Sequence, residues 1–68
     1  MPSVKFQTYL IIETMIYELE SFDYLDAAKA YVERISKHFA KNARVALRIE
    51  RIETKVKYVY QKRLWEDN

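Results

Sequence analysis

Few residues in this chain could do chemistry. Among its 68 residues there is one histidine, His38, and no cysteine. His38 has no serine or cysteine nucleophile beside it in a recognisable context, and a histidine near a helix end is ordinarily a surface residue. The carboxylates Glu13, Glu18, Glu20 and Asp23 cluster in sequence, but carboxylates at strand ends and turns are normally solvated. Spacing alone assembles no acid, base and pocket. Without thiols there is neither a disulfide nor a thiolate metal site, and one imidazole cannot hold zinc unless several carboxylates converge on it. Glycine is absent and the only proline is Pro2. That removes glycine-rich phosphate loops, dinucleotide fingerprints and nucleophile elbows, each of which needs backbone that glycine adopts at low cost. The expectation is a protein that is not an enzyme and needs no cofactor and no metal.

Charge and aromatic residues are what remain, and the charge is polarised. Residues 1–33 carry two basic and six acidic side chains, whereas residues 34–65 carry ten basic and two acidic, in a chain of net charge +2. A basic half is the electrostatic footprint expected for phosphates or for an acidic protein patch. The competing reading is that the acidic half neutralises it, within the fold or across a subunit pair.

Composition, 50% hydrophobic and 32% charged, is that of a globular chain. The longest uninterrupted apolar run, Tyr9 to Ile12, falls far short of the ~20 residues of a membrane span. No secretory leader is visible, so a cytoplasmic location is expected, in the host if the source is viral. One domain over residues 1–68 is expected, with a core supplying about 3–5 kcal/mol. Natural chains this small often add disulfides, a metal or a partner subunit. With the first two excluded, a homodimer is the remaining staple.

The elements that would position the charged and aromatic residues can be read from periodicity. Between Asp23 and Ala40 the apolar residues Leu25, Ala28, Val32, Ile35 and Phe39 recur every three or four positions, the stripe of an α-helix. Asp23 reads as its N-cap, with Asp26 in the first turn. Phe22 could staple onto Ala27 or Ala28. Glu33 and Lys37 form an i,i+4 pair, and Lys37, His38 and Lys41 suit the negative pole before a stop at Asn42.

Val4 to Phe22 is rich in β-formers, and Arg44 to Trp65 alternates with period two. The tripeptide Ile-Glu-Thr occurs at residues 12–14 and 52–54, and both copies read as hairpin tips. The prediction is a β-hairpin, a helix and a second β-hairpin, an α+β fold with an antiparallel sheet of three to four strands and the helix on one face. A tip at Glu53-Thr54 places Ile49 opposite Tyr58, Leu47 opposite Tyr60 and Glu50 opposite Lys57. Glu-Thr is nevertheless poor chemistry for a two-residue turn. The alternative is an all-α chain, since Val45, Ile49, Ile52, Val56 and Val59 also follow the seam of a long C-terminal helix. The β-branched residues and the Tyr58-Val59-Tyr60 cluster favour strand.

One helix covers one sheet face, so the other face meets solvent or a partner. In the predicted register that outer face carries Arg44, Arg48, Lys55, Lys57 and Arg63, with Val59 and Trp65 among them, as a candidate partner or nucleic-acid surface. The first hairpin adds Tyr9, Ile11 and Ile16 as a candidate dimer or partner face. Basic residues interleaved with aromatics are how sheet proteins stack bases and hold phosphates, although no RNP-type aromatic motif is present. Tyr58 and Tyr60 fall on the inner face as core.

The layout runs from Tyr9-Leu10-Ile11-Ile12-Glu13, through Asp26-Ala27-Ala28-Lys29 on the helix, to Val45-Ala46-Leu47-Arg48-Ile49-Glu50 and Gln61-Lys62-Arg63-Leu64-Trp65. It resembles small phage-encoded β-β-α-β-β proteins, among them some anti-CRISPR inhibitors of multi-subunit surveillance complexes. The resemblance is one of pattern over most of the chain and transfers no binding residue; the absent glycines depart from it. It implies a stoichiometric inhibitor or adaptor that docks onto a host nucleoprotein. The expected function is therefore a small non-enzymatic interaction protein, a viral or mobile-element accessory that binds and inhibits a host nucleic-acid-handling complex. The alternatives are direct nucleic-acid binding through the basic face and an obligate dimeric assembly module.

Overall fold

Alternation prevails over the helical seam throughout the C-terminal half. The computed structural model describes residues 5–39 and 44–67. Along them run β1 (Phe6–Ile12), β2 (Met15–Phe22), α1 (Leu25–Ser36) with a 3₁₀ turn over Lys37–Phe39, β3 (Val45–Arg51), β4 (Val56–Gln61) and β5 (Leu64–Asp67). All strand pairs are antiparallel, and the spatial order is β2-β1-β3-β4-β5. The fold is α+β, as the periodicity implies, with one strand more than the predicted maximum. The all-α alternative fails because Val45, Leu47 and Ile49 are buried on one face of a strand while Ile52 sits exposed in a loop.

The predicted pairs Ile49–Tyr58, Leu47–Tyr60 and Glu50–Lys57 all form. The loop between β3 and β4 is longer than a two-residue tip. Arg51 pairs with Val56, and the Lys55 amide donates to the Arg51 carbonyl at 2.7 Å with Lys55 left-handed at φ 61°. The first tip is tight, since Ile12 pairs with Met15 around Glu13-Thr14 and Glu13 takes φ 55°. A third hairpin has no counterpart in the sequence reading. Gln61 pairs with Leu64 across Lys62-Arg63, whose φ values of 54° and 64° are both left-handed. That is the geometry a two-residue turn needs, built from residues that resist it.

The helix departs from prediction at its start. Asp23 is not its cap. The helix begins at Leu25, Tyr24 stands at the cap position without a side-chain cap bond, and Asp23 is ion-paired with Lys5. Asp26 does occupy the first turn. Glu33 turns to Trp65, accepting from its indole Nε1 at 2.9 Å, where the sequence suggested Lys37. Phe22 packs against the cluster that holds Ala28 and also on Tyr31, with ring centroids 5.2 Å apart. The predicted stop at Asn42 lies outside the described residues. No helix among the described residues is long and apolar enough to cross a membrane.

The core lies between α1 and the sheet. Ala28 and Val32 meet Phe6, Leu47 and Ile49, with Leu10, Leu19, Leu25, Ile35, Tyr58, Tyr60 and Trp65 packed around them. Thr8 is fully buried among them. It sits at a bulge where β2 carries one residue more than β1, Leu19 and Glu20 lying opposite Thr8. The Thr8 hydroxyl donates to the Glu20 carbonyl and the Gln7 amide donates to the Leu19 carbonyl at 2.7 Å. Two side chains of β1 thus satisfy carbonyls that the interrupted ladder leaves over.

Candidate interaction surface

Alternation that sends Phe6, Leu47, Ile49, Tyr58 and Tyr60 toward α1 sends their neighbours to the far side of the sheet. The register arranges these neighbours in cross-strand rows. One row spans every strand, as Glu18, Tyr9, Arg48, Val59 and Glu66. Beside it toward the first hairpin tip lies an apolar row of Ile16, Ile11 and Ala46. On the other side runs a polar row of Ser21, Gln7, Glu50 and Lys57. No element of the described chain covers this face.

The centre of the face is ordered by one contact. The Arg48 guanidinium lies over the Tyr9 ring, 4.8 Å from its centroid, a cation–π pair between directly opposed residues. Arg48 Nε is closed off from solvent and finds no acceptor, so stacking holds that part of the side chain. Burial pushes the Tyr9 phenol above its ordinary value of 10.0. The Glu50 and Glu18 carboxylates push it the same way, against the opposing pull of Arg48.

The predicted site residues separate into two sets. Tyr9, Ile11, Ile16, Arg48 and Lys57 do share the outer face. Arg44, Lys55 and Arg63 do not join them, because they lie in turns at the ends of strands. Arg44 is exposed and ion-paired with Glu13 beside the first tip. Arg63 is in the tip between β4 and β5, and Lys55 is in the loop at the opposite end of the sheet. Trp65 lies on the helix side of the sheet and not on the outer face that the sequence predicts. It pairs with Tyr60, which faces the helix, their centroids are 4.7 Å apart, and Lys29 Nζ stands 5.0 Å above its ring. The error follows from the unforeseen turn at Lys62-Arg63, which folds β5 back and pairs Trp65 with inward-facing Tyr60.

The outer face is consequently less basic than the sequence suggests. The three rows hold Glu18, Glu50 and Glu66 against Arg48 and Lys57, so carboxylates outnumber cations. Sequence reasoning missed Glu18 and Glu66 here, as well as the exposed edge residues Met15 and Tyr17. For Met15, Tyr17 and Glu18 the signal was the tight tip at Glu13-Thr14, from which alternation along β2 follows, whereas the place of Glu66 on β5 depends on the turn at Lys62-Arg63. Among the described residues no group of three or more His, Cys, Asp or Glu side chains is placed to hold a metal ion. No family model, no curated protein and no solved structure matches this chain.

Proposed function

We propose that this chain is a small non-enzymatic protein-interaction module that binds its partner through the open face of the sheet. The observation carrying this reading is the row Glu18–Tyr9–Arg48–Val59–Glu66 across all five strands, flanked by Ile16–Ile11–Ala46, with nothing in the described chain packed on it. A central tyrosine and arginine with apolar neighbours and a charged rim is the composition of a binding hot spot. Mixed charge on the face favours a protein over a polyphosphate, because nucleic-acid surfaces concentrate cations. The further element, that the partner belongs to a host nucleic-acid-handling complex and is inhibited in a stoichiometric complex, as by a viral or mobile-element accessory protein, is supported by the layout resemblance.

The test compares variants in capture from a host lysate. Arg48→Glu and Ile11→Asp are expected to abolish capture of whatever the wild type retains, while Lys62→Glu at the distant turn keeps it. Equal capture by all of them would remove the outer face from consideration. Direct nucleic-acid binding is the second reading. Retention of DNA or RNA at low salt, lost in Lys57→Glu and falling steeply with salt, would favour it instead.

A further inference from the structure

Three consecutive residues of β2 are large, apolar and open to solvent, Met15 at 56%, Ile16 at 55% and Tyr17 at 45% exposure. They lie on the sheet's edge, because β2 is the terminal strand in the order β2-β1-β3-β4-β5. An edge strand is normally protected by charge, by proline or by brevity. Residues 15–17 carry neither charge nor proline. The regular part of the strand is bounded on one side by the Glu13-Thr14 tip and on the other by the bulge at Leu19–Glu20, which leaves residues 15–18 with Ile16 and Tyr17 at their centre.

Around a two-residue tip the flanking pair, Ile12 and Met15, exchanges both ladder hydrogen bonds, and the next residue turns its N–H and C=O outward. Ile16 therefore presents a donor and an acceptor at the open edge, as does Glu18. A second copy related by a two-fold axis through this point would place Ile16 against Ile16, which is a hydrogen-bonded pair at the right spacing. The same register places Met15 against Tyr17 on the helix side, twice by symmetry, and Thr14 against Glu18. Apolar residues meet apolar residues at each central position. Shifting the axis to Tyr17 would set Ile16 against Glu18 and drive Met15 onto the bulge. The segment is thus complementary to itself in one register.

We propose that β2 is a homodimerisation edge, in which residues 14–18 pair antiparallel with the same residues of a second copy about a two-fold axis at Ile16. The two sheets become one, and the apolar row Ala46–Ile11–Ile16 continues across the axis into its own repeat. The pairing is isologous and closes at two copies. This inference stands apart from the outer-face reading, since the outer face is open in either state.

Two measurements on the full chain test it. Sedimentation of the wild type at micromolar concentrations is expected to show a concentration-dependent dimer. Met15→Lys with Tyr17→Lys, which alters only the helix-side pairs, is expected to leave a monomer with an unchanged far-ultraviolet spectrum. The chain has no cysteine, so Ile16→Cys introduces a single thiol. Paired strands set opposed Cα atoms within disulfide reach, and oxidation is expected to cross-link this variant about tenfold or more faster than Leu64→Cys on the other edge. A wild-type monomer throughout the range overturns the proposal, as does cross-linking of the two cysteine variants at equal rates. A β2 edge that takes up only the strand of a different protein overturns it too.

Discussion

Tyr9 is the residue at which geometry and titration meet. Its phenol is raised above 10.0 by burial and by Glu50 and Glu18, with Arg48 opposing. Folded and unfolded chains hold this proton equally well below pH 10.0. Above it the unfolded chain releases the proton first, so the contribution to stability is present at lower pH and is lost as pH rises through 10.0 and beyond. Tyr9→Phe is expected to be less sensitive to alkali than the wild type over that interval, measured as denaturation midpoints from neutral pH upward. An equal alkaline loss in both proteins would show that Tyr9 does not carry the effect. Arg48, stacked on the same ring, was legible in the sequence only as a cation. Its partner became apparent with the register, because Tyr9 and Arg48 are far apart in the chain and opposite in the sheet.

Among the elements, the hairpins show how much of the fold local pattern can specify. The β3–β4 register was readable because Glu50–Lys57, Ile49–Tyr58 and Leu47–Tyr60 agree on both faces at once, whatever the loop does. The β4–β5 hairpin was not, because Lys62-Arg63 carries none of the chemistry by which such turns are recognised. Both residues are left-handed, a conformation that costs non-glycine residues about 1 kcal/mol or more each. Replacing them as Lys62→Asn with Arg63→Gly is expected to stabilise the protein by roughly 1–2 kcal/mol in urea unfolding. An unchanged or lowered midpoint would mean that these side chains make contacts worth as much as the strain. The helix shows the opposite case. Its stripe of Ala28 and Val32 located it correctly. Its end is shorter than the stripe to Phe39 implies, since a 3₁₀ turn takes over at Lys37, and its cap was misassigned because the carboxylate of Asp23 had a distant lysine within reach.

For the whole molecule, sequence order misled where charge was concerned. The basic half of the chain does not become a basic face. Alternation divides its cations between two sides of the sheet, and the turns carry Arg44, Lys55 and Arg63 to its two ends. The outer face was legible as a surface and Tyr9, Ile11, Ile16, Arg48 and Lys57 as its members, since a period of two needs no tertiary information. Its charge balance required strand order. The sole tryptophan joins the last strand to the helix through Glu33 and Lys29. If the sheet and helix form one cooperative unit, Trp65 fluorescence and far-ultraviolet circular dichroism are expected to lose signal at the same denaturant concentration. An earlier fluorescence transition would show that β5 detaches first.

The left-handed tips also bear on how the chain reaches this structure. A hairpin with Asn-Gly at its turn can close locally and wait for the rest of the sheet. Here Glu13, Lys62 and Arg63 work against closure, so strands must first be held by contacts distant in sequence, and β1 against β3 is the central pairing. Such chains search longer before they commit. The transition state should therefore be organised around β1, β3 and the helix, with the β4–β5 tip still open. The Lys62→Asn, Arg63→Gly variant would then unfold more slowly while folding no faster, placing its whole gain on one arm of the chevron plot.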